Sequence, residues 1–284
     1  MADSSTTSIR SGGAPMTVHR LSSTPVKGFA MRWHEEAVVT PLGMADDRIF
    51  ALVDTARNRV LRTVEMPGSV AWQADWDGEK LLFQPPEGQE PSPIFFDMSA
   101  TGYAVSSPTA YDYWGRTITA SVIEGPEVGE AVAALERAMW GHPDGSRRGA
   151  SRRPVAGRLA LARLVAPAHL VFGPPLTAIL LSEVDELAAR CGRPGIREEL
   201  DRFRANVVID DREFPCRGED LVGGVLCLGS VLVDVLEPIE RCAVIERSPR
   251  QGVGDVGPSL LAALAEGRRG RDGITFGVGL RPRG

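Results

Sequence analysis

Residues 231–252 read VLVDVLEPIERCAVIERSPRQG, and the rest of the chain is interpreted outward from them. The run at 231–236 is mostly apolar and rich in Val, which is typical of a strand that leads into a loop. Arg241 and Cys242 are therefore predicted to lie at or just beyond a strand end. The neighbouring guanidinium favours thiolate over thiol, and thiolate attacks electrophiles or binds soft metals. A single cysteine after a strand is also often a small buried hydrophobe, so the interpretation depends on the other segments.

Length and composition indicate a globular protein with one large or two ordinary domains. The chain has 284 residues, of which 43% are hydrophobic and 24% charged. The formal net charge of -5 argues against a nucleic-acid binder. The 4 cysteines lack zinc-type spacing, and so few of them favour a reducing compartment. Without a secretory signal or an apolar run long enough to span a membrane, we predict a cytoplasmic protein with no membrane partner.

The chain is predicted to be a β-dominated α+β protein in four segments. Residues 1–15 are rich in Ser, Thr and Gly and are expected to be a disordered tail. Residues 16–125 alternate short strands with turns, as in a β-sandwich or a β-barrel-like domain. Residues 126–158 combine a helix with a basic, flexible linker. Residues 159–284 are expected to form a second domain of strands with a few peripheral helices.

Local patterns predict particular elements within these segments. Turn signals between β-rich runs predict hairpins at residues 48–63 and 225–236. An apolar face at helical spacing predicts a helix at residues 126–140. Ser182 is expected to cap another helix, which continues through Arg190.

Two loops in the N-terminal half carry candidate anion-binding residues. Lys27 and Gly28 end a polar loop after a strand, where a lysine can reach a phosphate and a glycine permits close backbone approach. Arg48 begins a half-buried β-run and therefore needs a partner, either an aspartate or a ligand anion. The structural alternatives are a solvated surface lysine and an internal arginine–aspartate pair.

A third candidate lies at the start of a strand in the C-terminal half. Arg202, Arg204 and Asn206 have the same parity, so strand geometry would place them on one face. Such a row of donors suits a phosphate or the edge of a pterin. A polar sheet face without a ligand is the structural alternative.

Together these segments resemble the MOSC family, named for the C-terminal domain of molybdenum cofactor sulfurase. The N-terminal half is similar to the β-barrel domain that precedes many MOSC domains, through residues 24–28, 43–48, 50–54 and 62–67. The C-terminal half is similar to the MOSC domain itself, through residues 202–209, 241–242 and 276–278. This similarity implies that the second domain, residues 159–284, is a β-barrel.

The resemblance implies a molybdenum cofactor (Mo-molybdopterin) between the two halves, as in amidoxime-reducing component-type proteins. In those proteins a cysteine at the position of Cys242 ligates molybdenum. The residues matching Lys27, Gly28, Arg48 and Arg204 help to hold the pterin phosphate.

The remaining site predictions come from the residues themselves. We expect Arg202 and Asn206 to contribute to cofactor binding through the predicted donor row, and Arg241 to act with Cys242 in catalysis. The chain departs from the family pattern at residues 172–175 and 243–252. The family often has an Asp with Ser or Thr in the first stretch, and threonines with an Asp-Pro-x-Thr-Gly turn in the second.

Three functions remain open. The first is a molybdenum-cofactor oxidoreductase that reduces an N-oxygenated or S-oxygenated small molecule. Its electrons would come from a separate donor protein, because the chain has no flavin, haem or iron–sulfur motif. The second is a metal-free sulfur-transfer or carbon–sulfur bond enzyme that uses Cys242 as a persulfide or nucleophile. The third is a non-catalytic scaffold that keeps the barrel but not the pocket.

Overall fold

Strands dominate the protein, which confirms the predicted β-dominated α+β class. A computed structural model describes residues 8–11, 14–66, 68–89, 92–98, 103–140, 157–165, 170, 173–252, 254, 257–266 and 273–283. Within these ranges the α-helices are α1 (Pro126–Trp140), α2 (Leu181–Cys191) and α3 (Leu260–Ala265). None of the helices in the described ranges is long and apolar enough to cross a membrane.

The N-terminal half is built on a closed barrel. Its strands are β6 (Phe50–Asp54), β7 (Arg59–Val60), β12 (Thr109–Tyr113), β13 (Arg116–Glu124) and β14 (Leu159–Leu164). They pair in the order β13-β12-β7-β6-β14, and β14 pairs again with β13, so the ring closes. β11 (Ala104–Val105) extends it at β13. The β6–β7 pair confirms the hairpin predicted at residues 48–63.

A small sheet and a helix cover the apolar interior of this half. The sheet consists of β8 (Gln73–Trp76), β9 (Lys80–Gln84) and β10 (Ile94–Asp97). α1 has the bounds that its apolar spacing predicts. It buries that face in a core whose largest side chains are Phe29, Phe50, Trp72, Phe83 and Phe96.

The second sheet forms the C-terminal half and includes strands from the start of the chain. Its strands are β1 (Ser8–Ser11), β2 (Ala14–Ser23), β3 (Arg32–His34), β15 (Leu176–Leu180), β16 (Val207–Asp210), β17 (Val225–Leu228), β18 (Val231–Glu240) and β19 (Thr275–Pro282). The order is β1-β2-β16-β15-β19-β18-β17, with β3 on β2. The sheet curls so that β1 contacts β17.

The connections within this sheet agree with two further expectations. The β17–β18 pair confirms the hairpin predicted at residues 225–236. β15 and β16 pair in parallel, and α2 lies in the crossover between them, as parallel strands require. A short separate hairpin joins β4 (Val39–Thr40) to β5 (Gly43–Met44).

Strand pairing crosses the predicted segment boundaries. The disordered tail predicted at residues 1–15 is wrong for residues 8–11, which pair with β2. β2, predicted in the N-terminal domain, pairs with β16 of the C-terminal half, whereas β14, predicted in the C-terminal domain, closes the N-terminal barrel. Periodicity identifies a strand but not its partner, which is why the exchange is invisible in the sequence. The predicted linker at residues 141–157 lies, except for Gly157, outside the described residues.

The predicted cap of α2 is also wrong. Ser182 lies inside the helix, and Leu180 occupies the capping position without a side-chain hydrogen bond. The carboxylate of Asp211, the residue directly after β16, has the capping role instead, because it accepts the Ser182 N–H at 3.0 Å and also the Ser182 hydroxyl. A serine before an apolar run indicated the helix, but the acceptor came from a distant strand.

Candidate functional site

Arg241 and Cys242 lie where the sequence predicts, directly after β18. The Cys242 thiol is free and exposed, and a 3-10 turn at Ala243–Glu246 follows it. Arg241 donates from Nε to the Phe276 carbonyl at 2.8 Å and from Nη1 to the Phe203 carbonyl at 2.6 Å. Its Nη2 is buried and has no hydrogen-bond partner among the described residues.

Gly277 leaves room for the Arg241 guanidinium. Its φ is 76°, a left-handed value, and a Cβ there would come within 3.2 Å of Arg241 Nη2 and 2.8 Å of Ile179 Cγ2. A residue with a side chain at position 277 would therefore clash with Ile179 and crowd the Arg241 guanidinium.

Lys27 and Gly28 enter the site from the N-terminal barrel. The Lys27 backbone N–H donates to the Phe50 carbonyl at 2.8 Å, which fastens the loop to β6. The buried Lys27 ammonium donates to the Leu61 carbonyl at 3.1 Å and lies 5.2 Å from the centre of the Tyr113 ring. Gly28 is buried beside the Met66 side chain.

Arg48 has the internal aspartate partner that its burial requires. Nη1 pairs with Asp47, while Nη2 donates to the Arg204 carbonyl at 3.0 Å. Asp47 is fully buried and also accepts the Thr24 N–H at 2.9 Å. Arg48 therefore joins the N-terminal loop to the segment before β16.

The predicted row of donors at Arg202, Arg204 and Asn206 is wrong. Arg202 lies in a 3-10 turn (Leu200–Phe203), Arg204 has a left-handed φ of 54°, and β16 begins only at Val207. The turn and the left-handed residue break the alternation that would place the three side chains on one face.

The three residues instead have separate positions. Arg202 is buried and donates from Nη1 to the Ile245 and Arg247 carbonyls at 2.8 and 3.0 Å. These hydrogen bonds hold the segment after Cys242 in place. Arg204 donates from Nη1 to the Phe29 carbonyl at 2.7 Å, beside the Lys27 loop. Asn206 donates to Asp47 at 3.0 Å and thereby holds the partner of Arg48.

Cationic side chains from both halves meet at their junction, where Arg48 donates to the Arg204 carbonyl and Arg204 donates to the Phe29 carbonyl. Burial, together with the charges of Arg204 and Arg48, lowers the pKa of Lys27 to about 7. Burial lowers the pKa values of Arg204 and Arg241 to about 10. The negative charge of Cys242 acts in the opposite direction on each of these groups, which places the thiol within their electrostatic reach.

Arg247 is a residue of the site that the sequence analysis missed. Its guanidinium crosses to the N-terminal half, where Nη1 donates to the Thr63 and Met66 carbonyls at 3.0 Å and Nη2 to the Val64 carbonyl at 2.9 Å. Its position five residues after the cysteine was a weak signal, because carbonyl acceptors do not appear in a residue pattern.

Comparison with known proteins agrees with this architecture. The family model described as the MOSC domain matches residues 167–282, so the C-terminal half contains a MOSC domain. That domain family is associated in general with molybdenum-cofactor binding and cofactor-related enzymes. The N-terminal barrel agrees with the domain expected to precede it. No curated protein matches the chain.

The side chains present fit an anionic cofactor that carries a soft metal. Lys27, Arg48 and Arg204 lie close enough for their charges to depress the Lys27 pKa, and an anion would relieve that repulsion. Arg241 Nη2 is a buried donor without an acceptor in the described ranges. Cys242 supplies the soft thiolate. Of the divergent stretch at 172–175, residue 172 lies outside the described residues.

Proposed function

We propose that the protein is a molybdenum-cofactor-dependent oxidoreductase that reduces N-oxygenated or S-oxygenated small molecules. The observation that supports this most strongly is the exposed thiol of Cys242 at the junction of the two halves, within electrostatic reach of cations from both. In this proposal Cys242 is the metal ligand. A separate protein supplies the electrons.

The chain's own residues divide the work of holding such a cofactor. Lys27 uses one hydrogen bond in the described structure and Arg204 uses one, so both have donors left for a phosphate. Arg48 acts chiefly by holding the Arg204 carbonyl, and Asn206 acts by holding Asp47. Gly28 lets the Met66 side chain lie against the backbone of the Lys27 loop, because a Cβ at this position would meet that side chain.

Arg241 has a different part in the proposal. Its guanidinium is fixed by the carbonyls of Phe276 and Phe203, and its buried Nη2, which has no partner among the described residues, is the donor that it would offer to an anionic group of the cofactor. A bound molybdenum cofactor would supply the two-electron chemistry that removes oxygen from nitrogen or sulfur.

The first experiment is to measure molybdenum and pterin in the purified protein, in Cys242→Ala and in Cys227→Ala. The host must be one that makes the cofactor. The parent and Cys227→Ala are expected to carry stoichiometric metal. Cys227 is the matched control because its thiol lies on β17 and contacts the Gly229 carbonyl. Cys242→Ala is expected to lose most of it, because the protein thiolate is gone. Full metal and full activity in Cys242→Ala would show that the role given to Cys242 is wrong.

A sulfur-transfer or carbon–sulfur bond enzyme is the second candidate, and the free, exposed state of the Cys242 thiol favours it. The same three proteins, prepared from a host that does not make the cofactor, would be incubated with a sulfane donor and weighed intact. A persulfide adds about 32 Da. An adduct in the parent and in Cys227→Ala, but not in Cys242→Ala, supports this candidate. If the protein shows neither metal nor adduct, a non-catalytic scaffold is the remaining function.

A further inference from the structure

The loop that follows the cysteine is fastened to the opposite half of the molecule. We define residues 242–252 as the Cys242 loop and the described residues 63–66 and 68 as the facing turn. Arg247 spans the two, with hydrogen bonds to the carbonyls of Thr63, Val64 and Met66 at 3.0, 2.9 and 3.0 Å. Hydrogen bonds from a charged donor are among the stronger ones in proteins.

A second contact between the Cys242 loop and the facing turn is independent of Arg247. Gly252 has a left-handed φ of 74°, and a Cβ there would lie 2.5 Å from the Gly68 Cα and carbonyl oxygen. The two backbones therefore touch, which no other residue at position 252 would permit without a shift.

The rear of the Cys242 loop is fixed as well. Arg202 donates to the carbonyls of Ile245 and Arg247 at 2.8 and 3.0 Å. The Ile245 N–H donates to the Cys242 carbonyl at 3.2 Å, so the cysteine is held within the same turn. Together these contacts hold Cys242 in a defined position relative to the N-terminal half.

We infer that Arg247 is a positioning residue for Cys242: it docks the Cys242 loop on the facing turn and so holds its own positive charge at a fixed place in the loop that carries the thiol. The inference rests on the proposed function only in treating Cys242 as the reactive group, and it applies equally to a metal ligand and to a nucleophile. Cys242 and Arg247 flank the same short 3-10 turn, so the thiol and the half-buried guanidinium belong to one compact loop. The negative charge of Cys242 also partly offsets the lowering of the Arg247 pKa by burial.

The shape of the side chain matters as much as its charge. The planar guanidinium reaches three carbonyls at once, whereas a lysine ammonium in the same place offers a single nitrogen. Arg247→Lys should therefore keep most of the charge beside Cys242 and weaken the docking. Arg247→Met should lose both.

The test compares alkylation of Cys242 by iodoacetate and by iodoacetamide, with the modified peptides quantified by mass spectrometry. The ratio of the two rates cancels the thiolate fraction and reports the local potential, because only iodoacetate is an anion. Arg250→Met is the matched control: Arg250 lies exposed in the same loop, and its guanidinium has no hydrogen bond or ion pair within the described ranges. Cys227 in each sample provides an internal reference.

Arg247→Met is expected to lower the iodoacetate-to-iodoacetamide ratio at Cys242 by about threefold or more, the effect of one unit charge at a short distance in water. Arg247→Lys should stay within about twofold of the parent. Amide hydrogen exchange should become faster in both the Cys242 loop and the facing turn in Arg247→Met and in Arg247→Lys, while Arg250→Met should match the parent in both measurements.

An unchanged ratio in Arg247→Met, or an equal fall in Arg250→Met, would overturn the inference. So would faster exchange in the Cys242 loop without any change in the facing turn. All of these measurements use the protein without cofactor or turnover. If the purified protein contained no molybdenum, the proposed function would be wrong, but this test of Arg247 would still be valid.

Discussion

The acid–base chemistry of Lys27 is determined by its surroundings. Burial, followed by the charges of Arg204 and Arg48, lowers its pKa from 10.5 to about 7. The folded state therefore disfavours charged Lys27. The resulting loss of stability is fully present below pH 7 and disappears as the pH rises from about 7 to 10.5. A bound anion would reverse this effect by raising the Lys27 pKa.

Anion binding is therefore predicted to take up a proton at Lys27. At pH 8 we expect pyrophosphate, used as a probe, to bind with uptake of up to about one proton, and its affinity to fall as the pH rises above 7. Calorimetry in two buffers with different ionisation enthalpies measures the uptake.

Lys27→Met should abolish the uptake, and Lys80→Met is the matched control because Lys80 lies on β9 with a partly exposed side chain near Asp97. Proton uptake that persists in Lys27→Met would assign the effect to another group.

At the scale of the element, Asp211 shows how one buried carboxylate organises a crossover. It is 0% exposed and accepts hydrogen bonds from the Ser182 N–H and hydroxyl at the start of α2, and from the Cys216 N–H at 3.2 Å. It thereby connects the end of β16 to the helix and to the loop that follows. Three donors would lose their acceptor if the carboxylate were removed.

Asp211→Ala is predicted to lower the free energy of unfolding by about 2–4 kcal/mol, because buried donors lose their charged acceptor. Urea unfolding followed by circular dichroism measures the change. Asp210→Ala is the matched control: its partner Arg212 is exposed, and a surface pair of this kind contributes about 0–1 kcal/mol. Equal losses in the two variants would contradict the capping role of Asp211.

At the scale of the whole molecule, the two halves are interlocked by exchanged strands. β2 belongs to the C-terminal sheet, yet the chain continues from it directly into the Lys27 loop on the N-terminal barrel. β14 closes that barrel and precedes the MOSC strands. Neither sheet is complete without a segment from the other side of the predicted boundary.

Interlocking predicts that the two halves unfold together. Trp72 is buried in the N-terminal core and Cys191 in the core around α2. In a Trp33→Phe background, which removes the tryptophan on β3, tryptophan fluorescence and pulsed alkylation of Cys191 therefore report different halves. We expect their urea midpoints to coincide, as in a two-state transition. Separate midpoints would show that the exchanged strands do not couple the halves.

The sequence predicted the local elements more accurately than their arrangement. α1, the β17–β18 hairpin and the position of Cys242 directly after β18 followed from apolar periodicity and turn residues. The MOSC resemblance was confirmed over residues 167–282. Of the two partners predicted for Arg48, an aspartate and a ligand anion, the aspartate was confirmed, because Arg48 pairs with the adjacent Asp47.

The sequence by itself thus determined the class of fold and the cysteine at the strand end, because these depend on patterns within a few neighbouring residues. It identified the C-terminal domain through its resemblance to the MOSC family. Only the tertiary structure decided which sheet receives β2 and β14, that Arg204 turns left-handed before β16, and that Arg247 reaches the carbonyls of the facing turn. The physical reason is common to all three. Backbone hydrogen-bond partners are chosen by long-range packing, and every residue except proline offers the same N–H and C=O groups, so no residue pattern records the choice.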